Sequence, residues 1–228
     1  MFTDNPYSEL LFETSLIGRP NNWSVILLCA LLLLLTLLLT SFRNKLYLTL
    51  RALYSQRFYT QLLREGRIMH ERVAIFTLLF DLMTLSFGVL LCVERFAPKL
   101  VEAFSYIGLY GMIFAVLLVL FFLQMLVNNI YTSLFDHTKE YNAMYLYKFI
   151  FLTNVSLVLF PFLLLVQFTG QFAVLYAYIP VFLVDFGLYL YKLMKINPQK
   201  INLFQFFVYF CTLEILPCII LGKLILMY

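Results

Sequence analysis

Charge is scarce in this chain: only 12% of its 228 residues are Asp, Glu, Lys or Arg, against 63% hydrophobic and 18% aromatic residues. So little polar surface cannot coat a water-soluble globule, which leaves an integral membrane protein. The N-terminus lacks the positive start and apolar core of a cleavable signal, carrying Asp4, Glu9 and Glu13 against Arg19. The first apolar run is therefore expected to stay as an anchor. Cys29, Cys92, Cys211 and Cys218 all lie in apolar runs without CxxC spacing, and they read as small packing residues. The two histidines, His70 and His137, lack any HExxH-like spacing, so neither a metal nor a cofactor is expected. Nucleophile elbows, phosphate-cradling glycine loops and internal repeats are absent too, which argues against an enzyme and against a repeat-built transporter. The only residues that offer an enzyme reading are Asp136, His137, Lys139 and Glu140, and their simpler reading is a solvated loop.

What the chain does have is long apolar runs. Crossing roughly 30 Å of hydrocarbon takes about 20 apolar residues, and six stretches qualify: about 23–42, 73–93, 104–131, 149–168, 173–194 and 204–226. The expected fold is an all-α membrane protein, a single six-helix bundle over 23–228 preceded by a short tail, 1–22. The basic residues give its orientation. Arg43, Lys45, Arg51, Arg57, Arg64, Arg67, Arg72, Lys139, Lys148, Lys192, Lys195 and Lys200 fall on one side, leaving Arg19, Arg95, Lys99 and Lys223 on the other. The positive-inside rule then puts both termini outside the cytoplasm.

The first seven of those basic residues lie in the segment 43–72. Leu46, Leu50, Leu53, Phe58 and Leu62 recur there near helical spacing, predicting an amphipathic helix on the inner leaflet that runs until Gly66. Its basic side chains would contact anionic lipid headgroups, at about 1 kcal/mol each. The net charge of +4 thus has a membrane explanation, and no nucleic-acid partner is expected.

Asp81, Asp185 and Glu214 interrupt the second, fifth and sixth spans at depths of roughly 12, 14 and 15 Å from the inner boundary. A carboxylate at the centre of a span costs roughly 2.5–3.5 kcal/mol, so each needs compensation, which protonation and hydrogen bonding would supply. Thr77, Thr84 and Gly88 share the face of Asp81, and Cys211 and Cys218 that of Glu214, with Pro217 freeing the carbonyl of Leu213. Asp185 shares its face with Tyr178, Phe182, Tyr189 and Lys192. Gly108, Gly111 and Ala115 form a small-residue face on the third span, suited to packing in the bundle or against a partner. Three readings of the acids stand open: a proton- or cation-handling cluster, interhelical tethers, and docking points for a partner subunit.

The words "LRALYSQRFYTQLLRE", "TKEYNAMYLYKFIFLTNVSLVLFP" and "INLFQFFVYFCTLEILPCIILGKL" together resemble the Bacteroidota integral-membrane family known as domain of unknown function 4271. The resemblance covers roughly residues 40 to 226. It implies an inner-membrane protein of a Gram-negative bacterium and brings no activity. The leading expectation is a non-enzymatic subunit or assembly factor of a larger envelope complex, protein export among the candidates, with other integral-membrane subunits as partners. The alternative is a small proton- or cation-coupled transporter or channel using the three acids.

Overall fold

The computed structural model describes residues 22–65, 72–135, 138–196 and 223. The predicted sixth span, with Cys211, Glu214, Pro217 and Cys218, lies outside the described residues, as does Arg67. Among the described residues every element is helical: α1 (Asn22–Ser41), α2 (Arg43–Tyr54), α3 (Gln56–Glu65), α4 (Arg72–Phe96), α5 (Pro98–Ala103), α6 (Tyr106–Phe135), α7 (Thr138–Thr169), α8 (Ala173–Tyr176) and α9 (Tyr178–Ile196). Five helical stretches are long and apolar enough to cross a membrane: Trp23–Ser41, Arg72–Phe96, Tyr106–Leu126, Tyr145–Thr169 and Ala173–Lys192. They coincide with the first five expected from sequence.

Helix α1 is apolar all round, as its leucine run dictates, but of its leucines Leu28, Leu31 and Leu38 are buried while Leu32, Leu33, Leu37 and Leu39 stay exposed. Lipid tails are as apolar as leucine, so burial alone gives such a helix little reason to associate. Packing detail and polar contacts decide the arrangement instead. The main core joins Leu28 and Leu31 of α1, Phe80, Phe87 and Leu90 of α4, Leu109 of α6, and Leu159, Phe160 and Leu163 of α7. At its centre Phe80 meets Phe160 edge-on, with centroids 5.7 Å apart. Gly88 lets α7 approach: a methyl group placed on it would sit 3.4 Å from Leu159 Cδ2 and 3.7 Å from Leu163 Cδ2.

Helix α7 is the hub, packing against α2, α4, α6, α8 and α9. Pro161 lies within it on an exposed position, and its missing N–H leaves the Leu157 carbonyl without that helical partner. The helix ends at Gly170, whose φ of 66° is the left-handed conformation that glycine adopts without steric cost, with its N–H donating to the Val166 carbonyl at 2.9 Å.

The basic segment departs from the sequence expectation in two ways. It is two helices, broken at Ser55, whose extended backbone (φ −124°, ψ 126°) lets its N–H cap the Arg51 carbonyl. On one straight helix Phe58 and Leu62 would point about 120° and 160° away from Leu46, so an unbroken helix would split the apolar stripe. The break returns Tyr59 and Leu62 to the cluster that holds Ala52 and Leu53. The second departure is where that stripe points. Leu146, Tyr147 and Ile150 of α7 and Tyr189 of α9 complete the same cluster, so the apolar face of α2 and α3 rests on the bundle rather than in lipid.

Candidate functional site

Two polar nodes interrupt the apolar interior, one on each side of α7. The first joins α4 to α7. Asp81 is fully buried, and Oγ1 of Thr153 donates to its Oδ2 at 2.9 Å. Ser156, one turn further along α7, lies close enough to interact with the same carboxyl. It falls short of hydrogen-bond geometry, and Asp81 Oδ1 and Ser156 Oγ both stay unpaired among the described residues. The surrounding hydroxyls are occupied locally: Thr77 donates to the carbonyls of Val73 and Ala74, Thr84 to that of Phe80, and Ser86 to that of Leu82. Thr77 and Thr84 thus satisfy themselves on their own helix and present a compact face to α7, while Ser86 does so about 140° around α4 from Asp81. Asn154 does the same with the Ile150 carbonyl, 2.8 Å from its Nδ2.

The second node joins α2 to α9. The Tyr54 hydroxyl donates to Asp185 Oδ1 at 2.9 Å, and Lys192 Nζ donates to the Ala52 carbonyl, also at 2.9 Å. Both contacts fall in the last turn of α2, where carbonyls lack helical partners and a cation is favoured by the helix dipole. Lys192 also stands 5.8 Å from the centroid of Tyr147, which stacks on Tyr59 at 3.8 Å. The Tyr54 phenol lies outside the spans; although its ring is exposed, its hydroxyl reaches the buried Asp185 carboxyl, and it is pushed up to about 12, first by local desolvation and then by that hydrogen bond and charge. It therefore remains a donor at any physiological pH. Asp185 Oδ2 is buried without a partner among the described residues.

Helix α7 keeps these nodes apart. Thr153 and Ser156 face α4, whereas Phe151 packs on Phe182, Phe186 and Tyr189 of α9, and the Val155 carbonyl accepts from Tyr178 at 3.3 Å. Residues 153 and 155 point about 160° apart on one helix, which makes these opposite faces. Among the described residues, Asp81 and Asp185 thus serve different helix contacts on either side of α7.

A third polar contact, from Gln167 Nε2 of α7 to Ser24 Oγ of α1 at 2.7 Å, ties the other end of the bundle.

Among the other residues singled out by sequence, Gly108, Gly111 and Ala115 are exposed on α6, and a methyl group on Gly111 would meet nothing within 4 Å. Within the described bundle they pack against no neighbouring helix. Cys29 is exposed and Cys92 half-buried, both as free thiols, so Cys29 faces outward rather than filling the core. Arg43, Arg51, Arg57 and Arg72 are exposed and Lys45 is half-buried. The side chain of Arg64 lies outside the described residues, as do Asp136 and His137 and the side chains of Lys139 and Glu140. Among the described residues no group of three or more His, Cys, Asp or Glu side chains could hold a metal ion.

Sequence reasoning missed Thr153 and Ser156, although the polar run "TNVS" in the middle of an apolar span was a visible signal. It also missed Tyr54, because nothing in its own segment indicates a contact 131 residues away.

A family model described as "Domain of unknown function (DUF4271)" matches residues 24–225. No curated protein and no solved structure matches the chain.

Proposed function

We propose a structural role for this chain, which belongs to the family described as Domain of unknown function (DUF4271): a non-enzymatic subunit or assembly factor of a larger envelope complex. Residues 204–226 supply the sixth span in this reading, both termini face the periplasm, and α2 and α3 lie at the cytoplasmic face of a bacterial inner membrane. Basic side chains collect at that end, in keeping with the positive-inside rule. Protein export machinery is one candidate assembly.

The observation that carries the reading is the separation of the acids. A transporter built on Asp81, Asp185 and Glu214 needs its carboxylates around one wet path, yet Asp81 is tied to Thr153 and Asp185 to Tyr54 on opposite faces of α7. Each serves a contact between two helices, which is what intramembrane polar groups do when they hold a bundle together. Helix α6 meanwhile leaves Met112, Val119, Phe122, Leu123 and Leu126 exposed beside Gly111 among the described residues, a face that suits another membrane subunit.

Purification of the tagged chain from native membranes in mild detergent tests this. A stoichiometric membrane partner is expected to co-elute. A monodisperse particle of one chain with detergent and lipid alone would sink the proposal.

A further inference from the structure

With its apolar stripe turned onto α7 and α9, α2 presents an outward face of Arg43, Tyr47, Arg51 and Tyr54, all exposed. The guanidinium of Arg51 lies 4.2 Å from the ring centroid of Tyr47, one turn back, and 5.6 Å from that of Phe58, on the far side of the Ser55 break. Two aromatic rings therefore hold this cation in place. No ion pair to Arg51 occurs among the described residues. A guanidinium held over aromatic rings still carries N–H donors in a fork that matches two oxygens of a phosphate. The platform beneath is fixed as well, since Lys192 and Asp185 grip the same last turn of α2 through Ala52 and Tyr54.

We propose that Tyr47, Arg51 and Phe58 form a binding site for the phosphate of an anionic membrane lipid. Charge complementarity selects an anion, and position selects a lipid: α2 follows the first span after a single residue, Phe42, so its first turns, with Arg43 and Tyr47, start where that span ends. A tyrosine and an arginine one turn apart suit that layer, the ring in the interface and the cation on the phosphate. Phe58 lies seven residues beyond Arg51, and across the Ser55 break its ring stays within 5.6 Å of the guanidinium. The proposal rests on the inner-face placement of α2 given above, and it needs no partner protein.

The test is native mass spectrometry of the full-length chain in detergent, titrated separately with phosphatidylglycerol, phosphatidylcholine and inorganic phosphate. Wild type should retain phosphatidylglycerol in preference to phosphatidylcholine. Arg51→Gln should weaken that retention about tenfold, the loss of one charge-assisted hydrogen-bonding pair. Arg51→Lys should weaken it by a smaller factor, since charge survives without the fork, and Tyr47→Leu should loosen it by releasing the guanidinium. Arg57→Gln, which removes an exposed charge outside this aromatic pair, should change little. Equal retention by wild type and Arg51→Gln would overturn the site. So would equal losses in Arg51→Gln and Arg57→Gln, the mark of diffuse charge attraction. Saturation by inorganic phosphate with no lipid preference would overturn it as well. A lone chain on co-purification would remove the subunit reading and leave this site standing, so the two failures are distinguishable.

Discussion

Asp81 offers the sharpest test of the tether reading, because its two possible roles respond differently to the same pair of substitutions. Asp81→Asn keeps the size of the side chain, still accepts from Thr153, and brings an N–H donor to the side where Ser156 Oγ waits unpaired. Asp81→Leu removes the 2.9 Å bond between α4 and α7 altogether. A hydrogen bond between helices inside a membrane is worth about 0.6 kcal/mol on average and about 1.7 at most. The stranded Thr153 hydroxyl can turn back to the carbonyl of Phe149, as Thr77 and Thr84 already do on α4, so the cost of an orphaned donor is avoided. Asp81→Leu should therefore destabilise by about 0.6 to 1.7 kcal/mol, and Asp81→Asn by less. A cycle combining Asp81→Leu with Thr153→Val should recover a coupling in that range, read from unfolding of the purified chain in mixed micelles of rising SDS content. Zero coupling would refute the tether. A proton-handling role predicts something else: Asp81→Asn would accumulate at wild-type level in membranes yet lose all biological activity, and that outcome would refute the structural assignment.

Gly88 and Tyr54 allow two further tests. A methyl group at Gly88 would make ordinary contact with Leu159 and Leu163, so Gly88→Ala should match wild type or gain up to about 1 kcal/mol from helix propensity. Gly88→Leu should cost about 1–3 kcal/mol by forcing α4 and α7 apart, and equal SDS resistance of the two variants would disprove this packing. The Tyr54 phenol is raised from its ordinary 10.0 to about 12, so its stabilisation is complete below pH 10 and fades as pH climbs through 12. The stability difference between wild type and Tyr54→Phe should therefore stay constant below pH 10 and shrink above it. A difference that stays constant through pH 12 would contradict a phenol raised by the Tyr54 to Asp185 bond.

The spans were legible because length and hydropathy are local properties, and five helices stand where their apolar runs predict. The basic segment was legible as amphipathic but not as broken. Its residues Leu46, Leu50 and Leu53 keep one register while Phe58 and Leu62 keep another, and that change of phase was the available sign of a joint at Ser55. What faces what was much harder to read. In water an apolar stripe announces the core, but inside a bilayer Leu33, exposed, and Leu31, buried, are equally apolar and equally at home. Sequence could name the face of Asp81 and yet not name Thr153 across from it, because the azimuth of α7 is set by aromatic stacking and by the glycine gap at Gly88.

The same reasoning explains why a shared depth misled. Counting residues from the membrane boundary fixes how far a side chain lies along the helix axis, and on that coordinate Asp81 and Asp185 are neighbours. It leaves the rotation of every intervening helix undetermined. Here the intervening helix is α7, and a step of two residues, from Thr153 to Val155, crosses from the side that serves Asp81 to the side that serves α9. A cluster of intramembrane acids therefore requires agreement in depth together with a helix between them that is absent or narrow. Helix α7 is neither: Phe151 packs it against Phe182 of α9, and Phe160, further along the helix, packs it against Phe80 of α4, the residue next to Asp81. Replacing Phe151 by a smaller residue would loosen α7 from α9, but it would not join the two nodes, because the backbone of α7 itself stands between them.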